Sequence, residues 1–96
     1  VAARLEEIAA MQARFEAEAR TRDERAEQGW RQLVRTYEAM RPREAAAILD
    51  EMDQAVAVPV MERMREAKVA PILAAMRPDR ARSLTTELAR ARAWRD

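Results

Sequence analysis

Three carboxylates close together are the residues with the clearest potential for chemistry. Asp50, Glu51 and Asp53 fall within four consecutive positions, and grouped carboxylate oxygens can bind Mg²⁺ or Ca²⁺. The alternative is a solvated helix end at which Asp53 caps the helix that follows. We favour the cap, and we predict that the chain has no metal ligands and binds no cofactor.

The composition excludes the common arrangements of catalytic side chains. The chain has no histidine and no cysteine, so neither a Ser–His nor a Cys–His pair can form. Ser83 and Lys68 are single examples of their residue types, and no recognisable catalytic motif surrounds either. A glycine-rich phosphate loop needs more than the one glycine present. We therefore predict that the protein is not an enzyme and has no catalytic residues.

The charge balance argues against nucleic acid as a partner. Lysine plus arginine number 18 and aspartate plus glutamate 17, for a net charge of +1, whereas nucleic-acid-binding domains show a basic excess on one face. Arginine outnumbers lysine 17 to 1. Because acidic residues are interleaved throughout, a GC-rich genome explains this excess more simply than phosphate recognition does.

Membrane attachment could come only from a segment outside this chain. No apolar run reaches the roughly 18 residues that cross a bilayer. The first residue is Val1 rather than methionine, so we expect a fragment or a processed form, from which a signal peptide or membrane anchor can be missing.

A twelve-residue repeat indicates the elements that must position these side chains. Methionine or leucine recurs at positions 40, 52, 64, 76 and 88. In each unit, the residues at i, i+3, i+4 and i+7 fall on one stripe of an α-helix. Nearly all of them are apolar, the exceptions being two threonines. They are Leu33, Thr36, Tyr37 and Met40; Ala45, Ile48, Leu49 and Met52; Ala57, Val60, Met61 and Met64; Val69, Ile72, Leu73 and Met76; and Ala81, Leu84, Thr85 and Leu88.

The repeat length also predicts the overall shape. Twelve residues advance a helix by about 1200°, a net turn of about 120°, so one continuous helix would wind its apolar stripe around the whole surface. The chain must turn between units instead. We predict an all-α fold in which residues 33–89 form a compact stack of short superhelical repeats, with Ile48, Ile72 and Leu84 in a shared interior. A core this small gives only marginal stability without a partner or a neighbouring element.

Proline and aspartate mark several of the turns. Pro42 and Pro78 each follow a repeat methionine by two positions, and proline favours the first turn of a helix. Asp53 can cap the helix after Met52. The other two prolines, at 59 and 71, come seven residues after a methionine. Either these helices begin late, near 58 and 70, or each is kinked by a proline inside it, and the sequence leaves both options open.

The N-terminal part of the chain predicts a coiled coil. Residues 1 to about 40 read as one long helix, with Gly29 as a weak point. A 3-4 spacing typical of a dimer seam is formed by Leu5, Ile8, Gln12, Phe15 and Ala19. We therefore divide the chain into an N-terminal coiled-coil helix (1–32), the repeat domain (33–89) and a C-terminal tail (90–96).

Two tryptophans flank the repeat region. Trp30 and Trp94 could be anchors for a partner protein, because exposed tryptophans often dominate interfaces. They could equally pack over the two ends of the stack as caps. The methionines at helical spacing are assigned to the core, although flexible thioethers also suit adaptable binding surfaces.

The repeat region resembles a known family. Its most specific pieces are YEAMRPREAA, AKVAPILAAMRPDRA and LTTELA, within roughly Leu33 to Ala89. They resemble the MotE family, whose members carry a domain similar to the N-terminal cytosolic domain of MgtE magnesium transporters. The family's shared motif falls mostly on residues that look structural: Met40, Pro42, Ala45, Ala46, Pro71, Ile72, Leu73, Met76, Pro78, Ala81 and Leu84.

That resemblance implies a location and a function. MotE-type proteins are exported bacterial proteins with an N-terminal hydrophobic segment, a coiled coil and a C-terminal helical domain. They are described as chaperones for MotC, a periplasmic component of the flagellar motor. The resemblance thus implies a periplasmic homodimer, anchored to the inner membrane by a segment missing from this chain, that binds a MotC-like protein and supports motility. No catalytic residue carries over from the family.

Two other functions remain as alternatives. The similarity to MgtE implies a regulatory, magnesium-sensing domain of a transporter, for which only Asp50, Glu51, Asp53 and Asp79 could supply ligands. A third hypothesis is a cytosolic assembly adaptor similar to the motor-switch protein FliG, whose middle region uses related short helices. A non-enzymatic scaffold that binds another protein is the leading hypothesis.

Overall fold

The structure, a computed structural model, describes residues 1–95, with side chains described as far as Ala93. No strand occurs within that range. The five helices are α1 (Ala2–Ala39), α2 (Pro42–Glu51), α3 (Gln54–Glu62), α4 (Glu66–Ala75) and α5 (Pro78–Arg95). The predicted all-α fold, with a long N-terminal helix before a set of short ones, is confirmed.

The repeat methionines lie at the breaks between helices. Met40, Met52 and Met76 are C-caps with extended backbone, and Met64 follows the end of α3. Pro42 and Pro78 are the first residues of α2 and α5, where a missing N–H costs nothing because that donor has no helical acceptor. The twelve-residue period therefore records separate helices.

Two prolines lie inside helices. α3 begins at Gln54 and contains Pro59, while α4 begins at Glu66 and contains Pro71. Of the two options left open by the sequence, the late start is excluded. The start of α3 is fixed by Asp53, whose carboxylate accepts a hydrogen bond of 3.3 Å from the backbone N–H of Ala55. α3 therefore begins directly after its Asp53 cap, and both helices lack one hydrogen bond at their prolines.

Each helix packs against the helix two places along the chain. α1 packs on α3, α2 on α4, and α3 on α5. One hydrophobic core joins all five helices, and it consists of Val34, Ala45, Ala46, Leu49, Ala57, Val60, Met61, Met64, Ile72, Met76, Leu84 and Leu88. The units thus share a single interior.

The expected burial of Ile48 was wrong. Ile72 and Leu84 are 2% and 0% exposed, but Ile48 is 40% exposed. In the repeat, Ile48 is equivalent to Val60, Ile72 and Leu84. These three lie on α3, α4 and α5, each of which packs on the helix two places before it. α2 has no described helix two places before it, so the same face of α2 remains open.

The helix boundaries and the expected domain boundaries differ. Residue 32 lies inside α1, which runs without a break from Ala2 to Ala39. Residues 90–95, expected as a tail, continue α5 as far as Arg95. The i,i+3 ion pair between Arg90 and Glu87, at 2.8 Å, supports this last part of the helix.

Gly29→Ala is expected to stabilise the fold. Gly29 lies in the interior of α1 without positive φ, and a Cβ built there meets no atom within 4 Å. Glycine in a helix interior costs about 1 kcal/mol relative to alanine, so the free energy of unfolding should rise by about that amount in urea titrations followed by circular dichroism. The neighbouring Gln28→Ala is the control. A loss of stability in Gly29→Ala would show that this segment is not a regular helix.

Candidate protein-binding surfaces

An exposed apolar stripe follows the first half of α1. Leu5, Ile8 and Phe15 are 63%, 52% and 64% exposed. Gln12 is also exposed, and Ala19 is half-buried. The five predicted seam residues thus lie at the start of α1, where residues 2–18 are all exposed and Ala19 is the first half-buried position. Contiguous apolar surface of this kind marks an interface.

One further residue belongs beside this stripe. Met11 is 54% exposed. It lies three residues after Ile8 and four before Phe15, and it was missed because Gln12 was assigned to the seam at that point. With 38 residues, α1 is about 57 Å long. The molecule measures 64 Å in its longest dimension. The stripe is therefore on an extended arm that reaches away from the core.

Arg63 joins α1 to α3. Its guanidinium donates two hydrogen bonds of 2.9 Å to the carboxylate of Glu27, one to each oxygen, and a third of 2.9 Å to the carbonyl of Pro59. The same group lies 5.4 Å from the ring centroid of Trp30, within cation–π range. The hydrogen bonds lower the pKa of Glu27 and raise the pKa of Arg63.

The structure places the side chain of Trp30, one of the two predicted partner anchors, but does not describe that of Trp94. Trp30 is half-buried and packs against the core, with Arg63 over its ring. This position favours the cap interpretation, because the contacts of Trp30 are made within the protein. The side chain of Trp94 lies outside the part of the chain that the structure describes.

A carboxylate bridge repeats with the twelve-residue period. The Glu38 carboxylate, at the end of α1, accepts a hydrogen bond of 2.9 Å from the backbone N–H of Arg65, just before α4. The Asp50 carboxylate, at the end of α2, accepts one of 3.2 Å from the backbone N–H of Arg77, just before α5. Each bridge spans 27 residues. The end of one helix thus fixes the start of the helix three places later.

The candidate metal ligands take part in these contacts. Asp50 is engaged by Arg77, which also bonds the Asp50 carbonyl at 3.0 Å. Asp53 caps α3, as the cap interpretation predicted. Glu51 and Asp79 are exposed. Among the described residues, no group of three or more acidic side chains is placed to hold a metal ion.

Arginine side chains cap the C-terminal end of α2. Arg80 of α5 donates hydrogen bonds to the carbonyls of Leu49 and Met52, which lie at the helix end, where carbonyls lack an i+4 donor within the helix. Arg63, Arg77 and Arg80 all bond to carbonyls or carboxylates of the protein, so part of the arginine excess has a structural role. Sequence reasoning missed this role, although Arg65 and Arg77 share the position after a repeat methionine.

Acid should weaken the bridge at Glu38. The pKa of Glu38 lies below its ordinary value of 4.5, mainly because the backbone N–H of Arg65 bonds the carboxylate. A carboxyl group whose pKa is lower in the folded state stabilises the fold above its unfolded pKa, and that contribution is lost as the pH falls through the folded pKa. Stability below about pH 4.5 should therefore decline more steeply in the wild type than in Glu38→Gln.

NMR spectroscopy can follow the bridge between Glu38 and Arg65 directly. The NMR shift of the Arg65 amide proton should follow the titration of Glu38, with a midpoint below 4.5. An Arg65 amide shift that stays constant while Glu38 titrates would contradict the bridge.

The residues of the shared family motif are distributed over the stack. Ala45, Ala46, Ile72, Met76 and Leu84 are buried in the core. The prolines are exposed: Pro42 and Pro78 begin helices and Pro71 lies within α4. The half-buried members are Met40, Leu73 and Ala81, which pack against the core. These positions indicate roles in helix boundaries and packing.

A family model described as the MgtE intracellular N domain matches residues 23–94, which is most of the chain. No curated protein and no solved structure matches. Among the described residues, no helix has the length and apolar character that crossing a membrane requires.

Proposed function

This chain belongs to the MgtE intracellular N domain family, and from that premise we propose that it is a non-enzymatic scaffold that binds another protein as a dimer. The observation that carries the proposal is the exposed stripe of Leu5, Ile8 and Phe15 on α1. Such a stripe is stable in water when a second helix covers it. Two copies would bring two repeat domains together, which strengthens binding to a partner through avidity.

We propose a periplasmic component of the flagellar motor, similar to MotC, as the partner. Support comes from the resemblance of residues 33–89 to the MotE family and from the order of a long helix followed by short-helix repeats. The protein would act in the periplasm as a chaperone for that component and so support motility.

Ile8→Asp should separate the dimer. Each of two Ile8 side chains would lose about 1.5 kcal/mol or more of apolar burial, so the dimer dissociation constant should rise about 100-fold or more. Sedimentation equilibrium of the wild type and the variant measures this. Ala10→Asp is the matched control, because it places the same charge on the other side of the helix. A wild type that stays monomeric at all concentrations would overturn the dimer.

Binding to the motor component is tested separately from dimer formation. The full chain, immobilised, should recover the MotC-like component from a periplasmic extract, and a deletion strain should lose motility. Recovery of no motor component, together with normal swimming of the deletion strain, would contradict the flagellar role while leaving the dimer to be judged by sedimentation.

Magnesium regulation is the second candidate, and the family match favours it. Mg²⁺ binds carboxylates with near-octahedral geometry, and Asp50 and Asp53 are the carboxylates to examine. Under the scaffold proposal, calorimetry with Mg²⁺ shows no binding. Heat of binding at millimolar affinity or better that disappears in Asp50→Asn and Asp53→Asn would favour the regulatory function instead.

A further inference from the structure

The C-terminal end of the stack has an open apolar groove. It lies between α4 and α5 and has a volume of about 410 Å³. Its floor is formed by Val69, Ala70 and Leu73 of α4 and by Thr85 and Leu88 of α5. Ala70 and Thr85 are exposed, and Val69 and Leu73 are half-buried. Most of this lining is apolar, although it is open to water.

The repeat shows what normally covers these positions. Two units earlier, Ala45, Ala46 and Leu49 are equivalent to Val69, Ala70 and Leu73, and all three are 0% exposed. Likewise, Met61, at 1% exposure, is equivalent to the exposed Thr85, whereas Leu88 is buried at 8%, like its equivalent Met64. α2 and α3 carry these buried residues, and they pack on α4 and α5. The groove is therefore the place where one more helix would fit.

The helices that cover the earlier positions define the chemistry of an occupant. α4 has 10 residues and α5 has 18, and each buries one aliphatic side chain at the same repeat position, Ile72 at 2% and Leu84 at 0% exposure. In α4 this residue belongs to a quartet at i, i+3, i+4 and i+7. An occupant needs such a quartet on one face and polar residues on the other.

A second copy of this chain does not meet that need. Its Val60, Ile72 and Leu84 are already buried in its own core, which leaves Ile48 of α2 as the available residue at this repeat position. If α2 of a second copy lay in the groove, α3 of that second copy would come next to α5 of the first copy. In the second copy, α3 already packs on its own α1. The α1 of the second copy and the α5 of the first copy would therefore compete for the same face of that α3.

We propose that this groove binds a short amphipathic helix of a partner protein, which adds one unit to the stack by packing on α4 and α5. The proposal rests on the protein-binding function and gives it a location. It requires neither a flagellar partner nor the α1 dimer.

The test uses a peptide with the sequence of residues 64–76 that carries Ala70→Lys, so that an amide bond between the side chains at positions 66 and 70 holds it helical. A free peptide this short is a poor helix. Fluorescence anisotropy with the full chain should show saturable binding. A peptide with Ile72→Asp should not bind. In the protein, Ala70→Arg should weaken binding about tenfold or more, and Ala75→Arg, an exposed position on the same helix outside the groove, should change it by less than about twofold.

The outcomes separate this inference from the proposed function. Absence of saturable binding to a wild-type chain with normal helicity would overturn the groove proposal. Equal binding by the Ala70→Arg variant would do the same. Self-association of the wild type that disappears in Ala70→Arg would assign the groove to a second copy and also overturn it. Peptide binding with no recovery of a motor component would support the groove and contradict the flagellar partner.

Discussion

Leu49→Ala is expected to reduce the free energy of unfolding by about 3 kcal/mol, and Leu73→Ala by about half of that or less. The two leucines occupy the same repeat position, 24 residues apart. Leu49 is 0% exposed, so its removal leaves a cavity between α2 and α4. Leu73 is half-buried at the open groove, where water can fill the space that the truncation creates.

Urea unfolding followed by circular dichroism measures both variants against the wild type. Because the substitution is identical and both sites lie on short helices of the stack, differences in helix propensity cancel. Equal losses for the two variants would show that Leu73 is as deeply covered as Leu49, and would contradict an open C-terminal end. Negligible losses for both would contradict the shared core.

Arg63→Ala is expected to cost about 2 kcal/mol, a large effect for a partly exposed side chain. The variant loses the three hydrogen bonds to Glu27 and Pro59 and the packing over Trp30. The side chain of Arg63 is only 23% exposed, so solvent compensates for little of this loss. α1 should then pack less firmly against α3.

Arg63→Lys is the informative companion to this variant. Lysine keeps the charge but cannot bond both carboxylate oxygens in the geometry of a guanidinium, so it should recover only part of the stability. A double-mutant cycle with Glu27→Gln should be non-additive, because both residues belong to one contact. Additive effects, or an Arg63→Ala variant as stable as the wild type, would contradict the junction.

The helix boundaries could be predicted because their signals are local. A proline two residues after Met40 and Met76, and Asp53 after Met52, act on the backbone beside them. The resulting break points agree with the structure. The paths near Pro59 and Pro71 could not be predicted, since proline's cost inside a helix competes with capping at the helix start. In α4 that cap, the bond from Arg65 to Glu38, comes from a helix far away in sequence.

The pairing of helices two places apart could not be read from the period. An apolar quartet shows that a face is buried, but not which helix buries it. Ile48 and Leu73 therefore looked like core residues, although Ile48 lies at one end of the stack and Leu73 at the other. The roles of Arg63, Arg77 and Arg80 were missed for a related reason, because each side chain bonds a carbonyl or carboxylate that only the fold brings close.

The packing of each helix on the one two places before it is tested most directly by methyl NOE spectroscopy. The protein would be labelled at the isoleucine, leucine, valine and methionine methyl groups. We predict cross-peaks between α2 and α4, from Leu49 to Ile72, and between α3 and α5, from Met61 to Leu84. A spectrum in which long-range methyl contacts join only helices adjacent in the chain, or are missing altogether, would contradict the stack and with it the open groove.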